Sequence, residues 1–472
     1  MPATPHSRSA RLTVAIACIG FFVTVLDSTA VNVALPTIGA RLGAGMSGLQ
    51  WVVDAYVLMF AALLLSAGAI SDRVGADRAF GIGLGVFTLT SAACGLAPDL
   101  MVLVAARVVQ GGAAAVMLPA SLSLVRQAFP DAAARARGIA WWTAGGGAAI
   151  AAGPVVGGAL TDVLGWRAIF FVNLPAGLLG LAGLFGLFRA PRSRPEPPDE
   201  PATLDVAGQL SSVLAVTALT FAVIEGGGPS GLGASSAVAW VVFAVAGAAF
   251  GWIETHTRHP AVPPSLFRSP TVLVCTATGF AQNFASYGTV FLLSLFFQDQ
   301  RGASPTVAGL MFLPMTALVL AANILAGRLV GRFGPRPPMV AGQLVQAASL
   351  LGLLSVGAHS PTVLVLVLLV PLGLGGGITV PPMTAALLEA VEPERSGVAA
   401  GVLSASRQLG GAIGVAAFGG LVPDPAHFQS GMRLSLVIGA GVLLTTAVAG
   451  MLPPRPGAAR VAAGASQVRL RG

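Results

Sequence analysis

The chain has 472 residues, of which 55% are hydrophobic and 9% are charged, and its mean hydropathy is +0.83. A soluble protein carries about 25% charged residues, so the composition excludes an ordinary soluble domain and predicts an all-α, polytopic membrane protein. The formal charge is +8, and all 26 basic residues are arginines. These arginines lie mostly in short loops, which favours an inside-positive topology over nucleic-acid binding.

Fourteen apolar segments follow one another, as two sets of six around a central pair. The predicted parts are a tail (1–11), a six-helix bundle (12–188), a linker (189–205), two inserted helices (206–254), a second six-helix bundle (271–452) and a tail (453–472). With the N-terminus inside, 20 arginines fall in inner loops and tails and 4 in outer loops. This bias predicts that both termini are cytoplasmic.

The first span carries a carboxylate, Asp27, on a polar face that it shares with Thr24 and Ser28. An ionised Asp in lipid costs on the order of 3 kcal/mol or more, so the pattern indicates a proton or cation site. The alternative, that Asp27 only holds its helix against a neighbour, stays open.

The second span carries another acid, Asp54, which is the fourth residue of a helix expected to begin near Trp51. Three interpretations of Asp54 stay open. It could relay protons, contact a cationic substrate, or cap the N-terminus of a helix, where an acid is favourable.

The cytoplasmic loop after span two contains the residues of a predicted gate: Gly68, Asp72, Arg73, Gly75 and Arg78. An Asp72–Arg73 contact between neighbouring helices could hold one conformation closed, although a simple polar turn is the alternative. The loop recurs weakly at 327–334, an offset of 327 − 68 = 259 residues. Two related halves with a site between them are typical of transporters.

The fourth span places Arg107 inside the membrane, three residues before Gln110. At about 1.5 Å per residue, Arg107 and Asp27 both lie ~12 Å from the outer side, so we expect them to pair. We predict an intermittent pair, in which Arg107 favours deprotonated Asp27 and in which substrate or a conformational change weakens the pair and lets a proton bind. A static buried ion pair is the alternative.

Span five contains a predicted hinge of small residues around a proline, formed by Gly153, Pro154, Gly157 and Gly158. The glycines allow close helix packing, and the proline removes a backbone hydrogen bond. Further polar positions are candidates for the lining of a substrate cavity: Tyr56, Gln110, Asn283, Tyr287 and Arg407. We find no metal cluster, phosphate-binding loop or nucleophile motif, and therefore predict no cofactor, no metal and no enzyme chemistry.

The loop 68–78, the Arg107 segment and Gly153–Pro154 resemble motifs of the major facilitator superfamily. The segment 26–36 and the fourteen spans resemble its fourteen-span drug:proton antiporter family, and segments 221–226, 310–316 and 381–387 are similar to actinomycete antibiotic exporters of the methylenomycin A resistance type. The resemblance implies proton-driven efflux of drugs or antibiotics across the plasma membrane, with protons, a small-molecule substrate and lipid as partners.

The resemblance also implies that Asp27, Asp54 and Arg107 carry proton coupling, and that the protein acts as a monomer without nucleic acid. No acid is clearly placed within the spans of the C-terminal half, so a broad range of dicationic substrates is not expected. Export of one endogenous metabolite or amino acid is an alternative function. A membrane sensor that does not transport is an alternative of another class.

Overall fold

The computed structural model describes residues 5–129, 131–188, 205–226, 233–257, 260, 262–392, 395–422 and 425–452. Helices dominate these residues. The N-terminal half is formed by α1 (Pro5–Leu42), α2 (Met46–Val74), α3 (Ala76–Leu96), α4 (Leu100–Ala128), α5 (Ala132–Leu164), α6 (Ala168–Phe171) and α7 (Asn173–Phe188). The inserted pair is α8 (Val206–Gly226) and α9 (Ala234–His256).

The C-terminal half begins after a short 3-10 turn at 264–268. It is formed by α10 (Pro270–Leu295), α11 (Pro305–Met311), α12 (Leu313–Phe333), α13 (Arg336–Leu353), α14 (Thr362–Glu389), α15 (Ser396–Gly420) and α16 (Phe428–Met451). A π-helical turn, Phe296–Gln300, extends α10. The predicted linker lies almost entirely outside the described residues, and the tail 453–472 lies wholly outside them.

Eleven of the described helices are long and apolar enough to cross a membrane, and the bent α12 raises the number to twelve. The helices α13 and α15 are not among them because they carry polar residues such as Gln346 and Arg407. Large apolar side chains such as Met101 and Val163 are about 80% exposed, at 81% and 79%. Such surfaces are stable against lipid and not against water. The protein is therefore a multi-pass, all-α membrane protein.

The predicted repeat is visible in the backbone. Gly75 ends α2 with a φ of 95°, and Gly334 ends α12 with a φ of 75°, again 259 residues later (334 − 75). Both glycine N–H groups donate to the carbonyl four residues earlier, at Ser71 and Val330. Glycine is favoured at both caps because other residues rarely adopt a positive φ.

The two halves are joined at one end of the bundle, which we call the 43–45 end after the loop between α1 and α2. Here Ser294 donates to the carbonyl of Asn32 (2.7 Å), and Gln298 donates to that of Val33 (2.8 Å). One large apolar cluster contains residues of both halves. At the opposite end, which we call the Gly75 end, a separate apolar cluster contains residues 262–403 only.

Candidate functional site

An ion pair joins α1 to α4 inside the N-terminal half, where Arg107 Nη1 donates to Asp27 Oδ2. The two side chains are 0% and 1% exposed. Arg107 Nη1 also donates to Gln110 Oε1 (2.9 Å), and Nε donates to the carbonyl of Val52 (3.1 Å). The structure therefore pairs Asp27 with Arg107, which the helical rise per residue predicted to lie at the same depth.

The second oxygen of Asp27 is also occupied. Asp27 Oδ1 accepts hydrogen bonds from Gln110 Nε2 (3.1 Å) and from Asn173 Nδ2 (2.9 Å). Asn173 Nδ2 also lies 3.0 Å from Ser91 Oγ, which in turn donates to a backbone carbonyl. Hydrogen bonds to an ionised group are about twice as strong as neutral ones, so this arrangement stabilises Asp27 as a carboxylate.

Sequence reasoning missed the role of Asn173, although the residue is a polar interruption in an apolar run. Its position depends on a helix break: α6 ends at Phe171, and α7 begins at Asn173 itself. The break turns the Asn173 side chain inward, where it is 1% exposed. Asn173 is therefore a positioning residue for Asp27.

An aromatic ring covers the guanidinium. Arg107 Cζ lies 4.2 Å from the centroid of the Tyr56 ring, and Tyr56 Oη donates to the carbonyl of Thr24 (3.2 Å). Tyr56 and Gln110 were predicted to line a substrate cavity. In this conformation they do not, because both are buried within the ion-pair cluster.

The cluster keeps unused hydrogen-bonding capacity. Arg107 Nη2 and Asn173 Oδ1 are buried and have no hydrogen-bond partner among the described residues. Buried polar atoms are normally paired, and exceptions mark sites that rearrange or bind something. Arg107 Nη2 can therefore donate, and Asn173 Oδ1 can accept, a further hydrogen bond if the cluster rearranges.

Asp54 lies farther from the start of its helix than the sequence indicated. The helix α2 begins at Met46 and its cap is Gly45, so Asp54 is the ninth helical residue, about 12 Å along the axis. This position excludes the helix-cap interpretation. Asp54 is 0% exposed, and neither of its oxygens has a partner within the described part of the chain. A carboxylate in such surroundings is stable only with a proton or a nearby cation.

The residues of the predicted gate lie at the turn between α2 and α3. Arg73 and Arg78 are exposed, and Gly75 makes the turn. Neither arginine forms an ion pair with the described residues. The side chain of Asp72 lies outside the described part, and a Cβ on Gly68 would meet no atom within 4 Å. The gate therefore stays a prediction.

The predicted hinge lies where α5 contacts both α1 and the C-terminal half. A Cβ on Gly157 would lie 2.8 Å from Ala30 Cα, and a Cβ on Gly158 would collide with the backbone of Pro305 in α11. Only glycine permits these approaches. The helix α5 continues without a break through Pro154. The segment is thus placed to transmit movement between the halves.

We expect Gly157→Ala to slow transport at least about tenfold and to lower the free energy of unfolding by about 1–3 kcal/mol, because the new methyl group overpacks α1 against α5. Gly147→Ala is the matched control, since a Cβ at this position of the same helix meets no atom within 4 Å. Thermal unfolding in detergent and initial efflux rates check both variants. Equal unfolding temperatures and equal efflux rates of the two variants would contradict a role for the close contact between Gly157 and Ala30.

The cavity candidates of the C-terminal half lie on α10 and α15. Asn283 is buried and donates weakly to Gln408 Oε1 (3.5 Å). Tyr287 and Arg407 are half-buried. A Cβ on Gly411 would lie 3.3 Å from the Tyr287 ring, which shows how closely the two helices pack. Tyr287 and Arg407 are the members of this group that reach accessible space.

The sequence profile of the Major Facilitator Superfamily matches residues 17–415 and 275–470. The chain is 39% identical to the methylenomycin A resistance protein of Streptomyces coelicolor, over 93% of this chain and 91% of that protein. It is 40% identical to the multidrug resistance protein Stp of Mycobacterium tuberculosis, over 88% of this chain and 76% of that protein.

Solved structures agree on the fold. A POT family transporter crystallised in complex with 5-aminolevulinic acid superposes with a TM-score of 0.71, covering 92% of this chain and 95% of that chain at 12% identity. At this identity the likeness concerns the fold alone. Together with the profile match and the two relatives, it shows that the chain belongs to the major facilitator superfamily and is a membrane transporter.

Proposed function

We propose that the protein is a proton-coupled antiporter that exports small amphipathic drugs or antibiotics by alternating access. The observation that carries this proposal is the buried Asp27–Arg107 pair with its hydrogen bonds from Gln110 and Asn173. Ionisable groups inside a membrane are costly and mark proton and ion pathways. The names of the relatives, which are resistance proteins, support an exported drug as the substrate.

Coupling follows from competition for Asp27. In this conformation the carboxylate accepts from three nitrogen donors and its side chain is only 1% exposed. A shift of α1 against α4 and α7 removes these donors and opens Asp27 to water. The carboxylate then takes up a proton, and return to the first arrangement expels it. Asp54 is a second proton carrier, because its buried oxygens have no donor among the described residues.

We further propose fourteen spans, with both termini cytoplasmic and the protein in the plasma membrane. The polar helices α13 and α15 also cross, because each packs against apolar neighbours, α13 on α14 and α16 and α15 on α10 and α2. In this orientation the 43–45 end faces outward, so the conformation is closed to the outside. The proton gradient drives the transporter, which acts as a monomer without a cofactor.

The proposal is tested by reconstituting the protein into liposomes and imposing a pH gradient. A panel of rhodamine B, ethidium, Hoechst 33342, chloramphenicol and tetracycline is offered on the side of the cytoplasmic face. We expect at least one compound to accumulate against its gradient, and nigericin, which collapses the pH gradient, to stop the accumulation. Accumulation that persists after nigericin would contradict proton coupling. Failure of the whole panel would contradict drug export and favour a dedicated metabolite.

Alternating access predicts that the outer contact between the halves opens during each cycle. Thr306 Oγ1 donates to Asp162 Oδ2 at 2.8 Å, joining α11 to α5. In a chain whose native cysteines are replaced by alanine, Asp162→Cys with Thr306→Cys is expected to form a disulfide that stops transport. A reductant should restore the rate, and each single substitution is the control. Transport at the unmodified rate by the cross-linked protein would contradict the mechanism.

A further inference from the structure

Arg407 is a charged residue near the middle of a membrane helix. It is the twelfth residue of the 25-residue helix α15, about 17 Å from the helix start. Its side chain is half-buried, as are its neighbours from Ser404 to Leu409. A charge at this depth is expensive unless it is paired or faces a polar cavity. The partial exposure of the whole segment indicates that α15 borders accessible space here.

Arg407 forms no ion pair with the described residues of the protein. Its Nε atom is buried without a hydrogen bond, and the described ion pairs are those of Arg107 with Asp27 and of Arg395 with Glu392. The contrast with Arg107 is informative, because Arg107 has a carboxylate, an amide and a backbone carbonyl as partners. The two arginines therefore have different tasks.

The surroundings of Arg407 are neutral. A Cβ on Gly279 would lie 2.8 Å from Arg407 Cγ and 3.5 Å from Met383 Sδ, so the arginine stem packs on α10, with Met383 of α14 nearby. The Tyr287 ring of α10 lies against α15 one turn further on, where a Cβ on Gly411 would be 3.3 Å from it. Among the described residues, the nearby wall is thus apolar and aromatic, and none of them forms an ion pair with Arg407.

Two acceptor atoms without donors lie elsewhere in the C-terminal half, one on α10 and one on α13. Gln282 Oε1 and Gln346 Oε1 are buried and have no partner among the described residues. The amide nitrogens of both face Ser286 Oγ, at 3.4 and 3.2 Å. The C-terminal half therefore holds two buried neutral acceptors in addition to the cation of Arg407.

We infer that Arg407 binds an anionic group of the transported compound, and that the substrate class is small amphipathic carboxylates. This inference rests on the proposed function and names its substrate. A guanidinium presents parallel N–H donors that match the two oxygens of a carboxylate. The apolar wall around Met383 and Tyr287 receives the rest of the molecule.

The inference is tested with pairs of probe compounds, each an acid and its ester, which differ in one carboxylate. The probes are rhodamine B with its ethyl ester and 2-naphthoate with its methyl ester. Dissociation constants are measured from the ligand-dependent thermal unfolding of purified protein in a non-ionic detergent, without any gradient. The variants are Arg407→Gln, Arg407→Lys and, as a control, Arg433→Gln, which removes an exposed arginine of the same half.

The unmodified protein and the Arg433→Gln control should bind each acid about tenfold or more tightly than its ester, as expected for a hydrogen-bonded charge pair. Arg407→Gln should abolish the preference for acid over ester and leave the dissociation constants of the esters unchanged. Arg407→Lys should keep part of the preference for the acids. Unfolding temperatures without ligand show whether each variant is folded.

Equal binding of acid and ester by the unmodified protein would overturn the inference, and so would an undiminished preference in Arg407→Gln. Equal loss of both acid and ester binding in Arg407→Gln would also overturn it and indicate a structural role, such as pairing with Asp54 in another conformation. These outcomes leave the proposed function standing, because binding is measured without protons being transported. Accumulation insensitive to nigericin contradicts the proposed function alone.

Discussion

Asp27→Asn is expected to lower proton-driven efflux at least about 100-fold, as the loss of a group that transfers a proton does in other proteins. Asparagine has nearly the shape of aspartate but cannot exchange a proton. It keeps one oxygen for Arg107, so the loss of stability should stay below the ~3–5 kcal/mol that removal of one partner of a buried pair costs. Initial rates of dye efflux under an imposed pH gradient measure the effect, and thermal unfolding shows that the variant is folded.

Asp99→Asn is the matched control for this substitution. Asp99 caps α4, where its side chain accepts from the N–H of Val102 (2.9 Å), and asparagine caps a helix equally well. We expect the control to transport at the unmodified rate. If Asp27→Asn also retained proton-driven efflux, Asp27 would be structural, and Asp54 would become the principal carrier.

Arg107→Gln is expected to have the largest effect on stability, lowering the free energy of unfolding by about 3–5 kcal/mol, because it leaves the Asp27 carboxylate buried without its cation. The double variant Asp27→Asn with Arg107→Gln removes both charges and should recover at least about 2 kcal/mol of that loss. Transport should be absent in the single and the double variant. Unfolding in mixed micelles and efflux rates measure the two properties separately.

This comparison decides between a functional and a purely structural ion pair. A static pair would allow transport to return together with stability in the double variant. Arg126→Gln, an exposed substitution on the same helix α4, is the control and should change neither property. Efflux by the double variant at a rate near that of the unmodified protein would contradict the coupling mechanism.

Counting residues was enough to place Asp27 and Arg107 at one depth, because helical rise is constant and their spans have clear ends. The sequence also revealed the repeat that appears in the glycine caps at Gly75 and Gly334. Counting placed Asp54 too near the start of its helix, because hydropathy gave a helix start at Trp51 and not at Met46. An amphipathic beginning of a span is weakly marked in composition.

The partners of a polar face could not be predicted, because periodicity shows which residues share a face and not what covers it. Tyr56 and Gln110 were therefore assigned to a cavity, whereas the structure packs them against Arg107. Asn173 could not be assigned for a similar reason. It reaches Asp27, 146 residues earlier, through a break between two helices that only tertiary packing determines.

The central claim is that the movement of substrate and the movement of protons are linked through Asp27. The most direct test records both in the same proteoliposomes, with entrapped pyranine reporting protons and a transported dye reporting substrate. For the unmodified protein we predict a fixed, non-zero number of protons for each dye molecule, and no dye-dependent proton flux for Asp27→Asn. Dye movement by the unmodified protein without proton movement, or the same ratio in Asp27→Asn, would contradict the account.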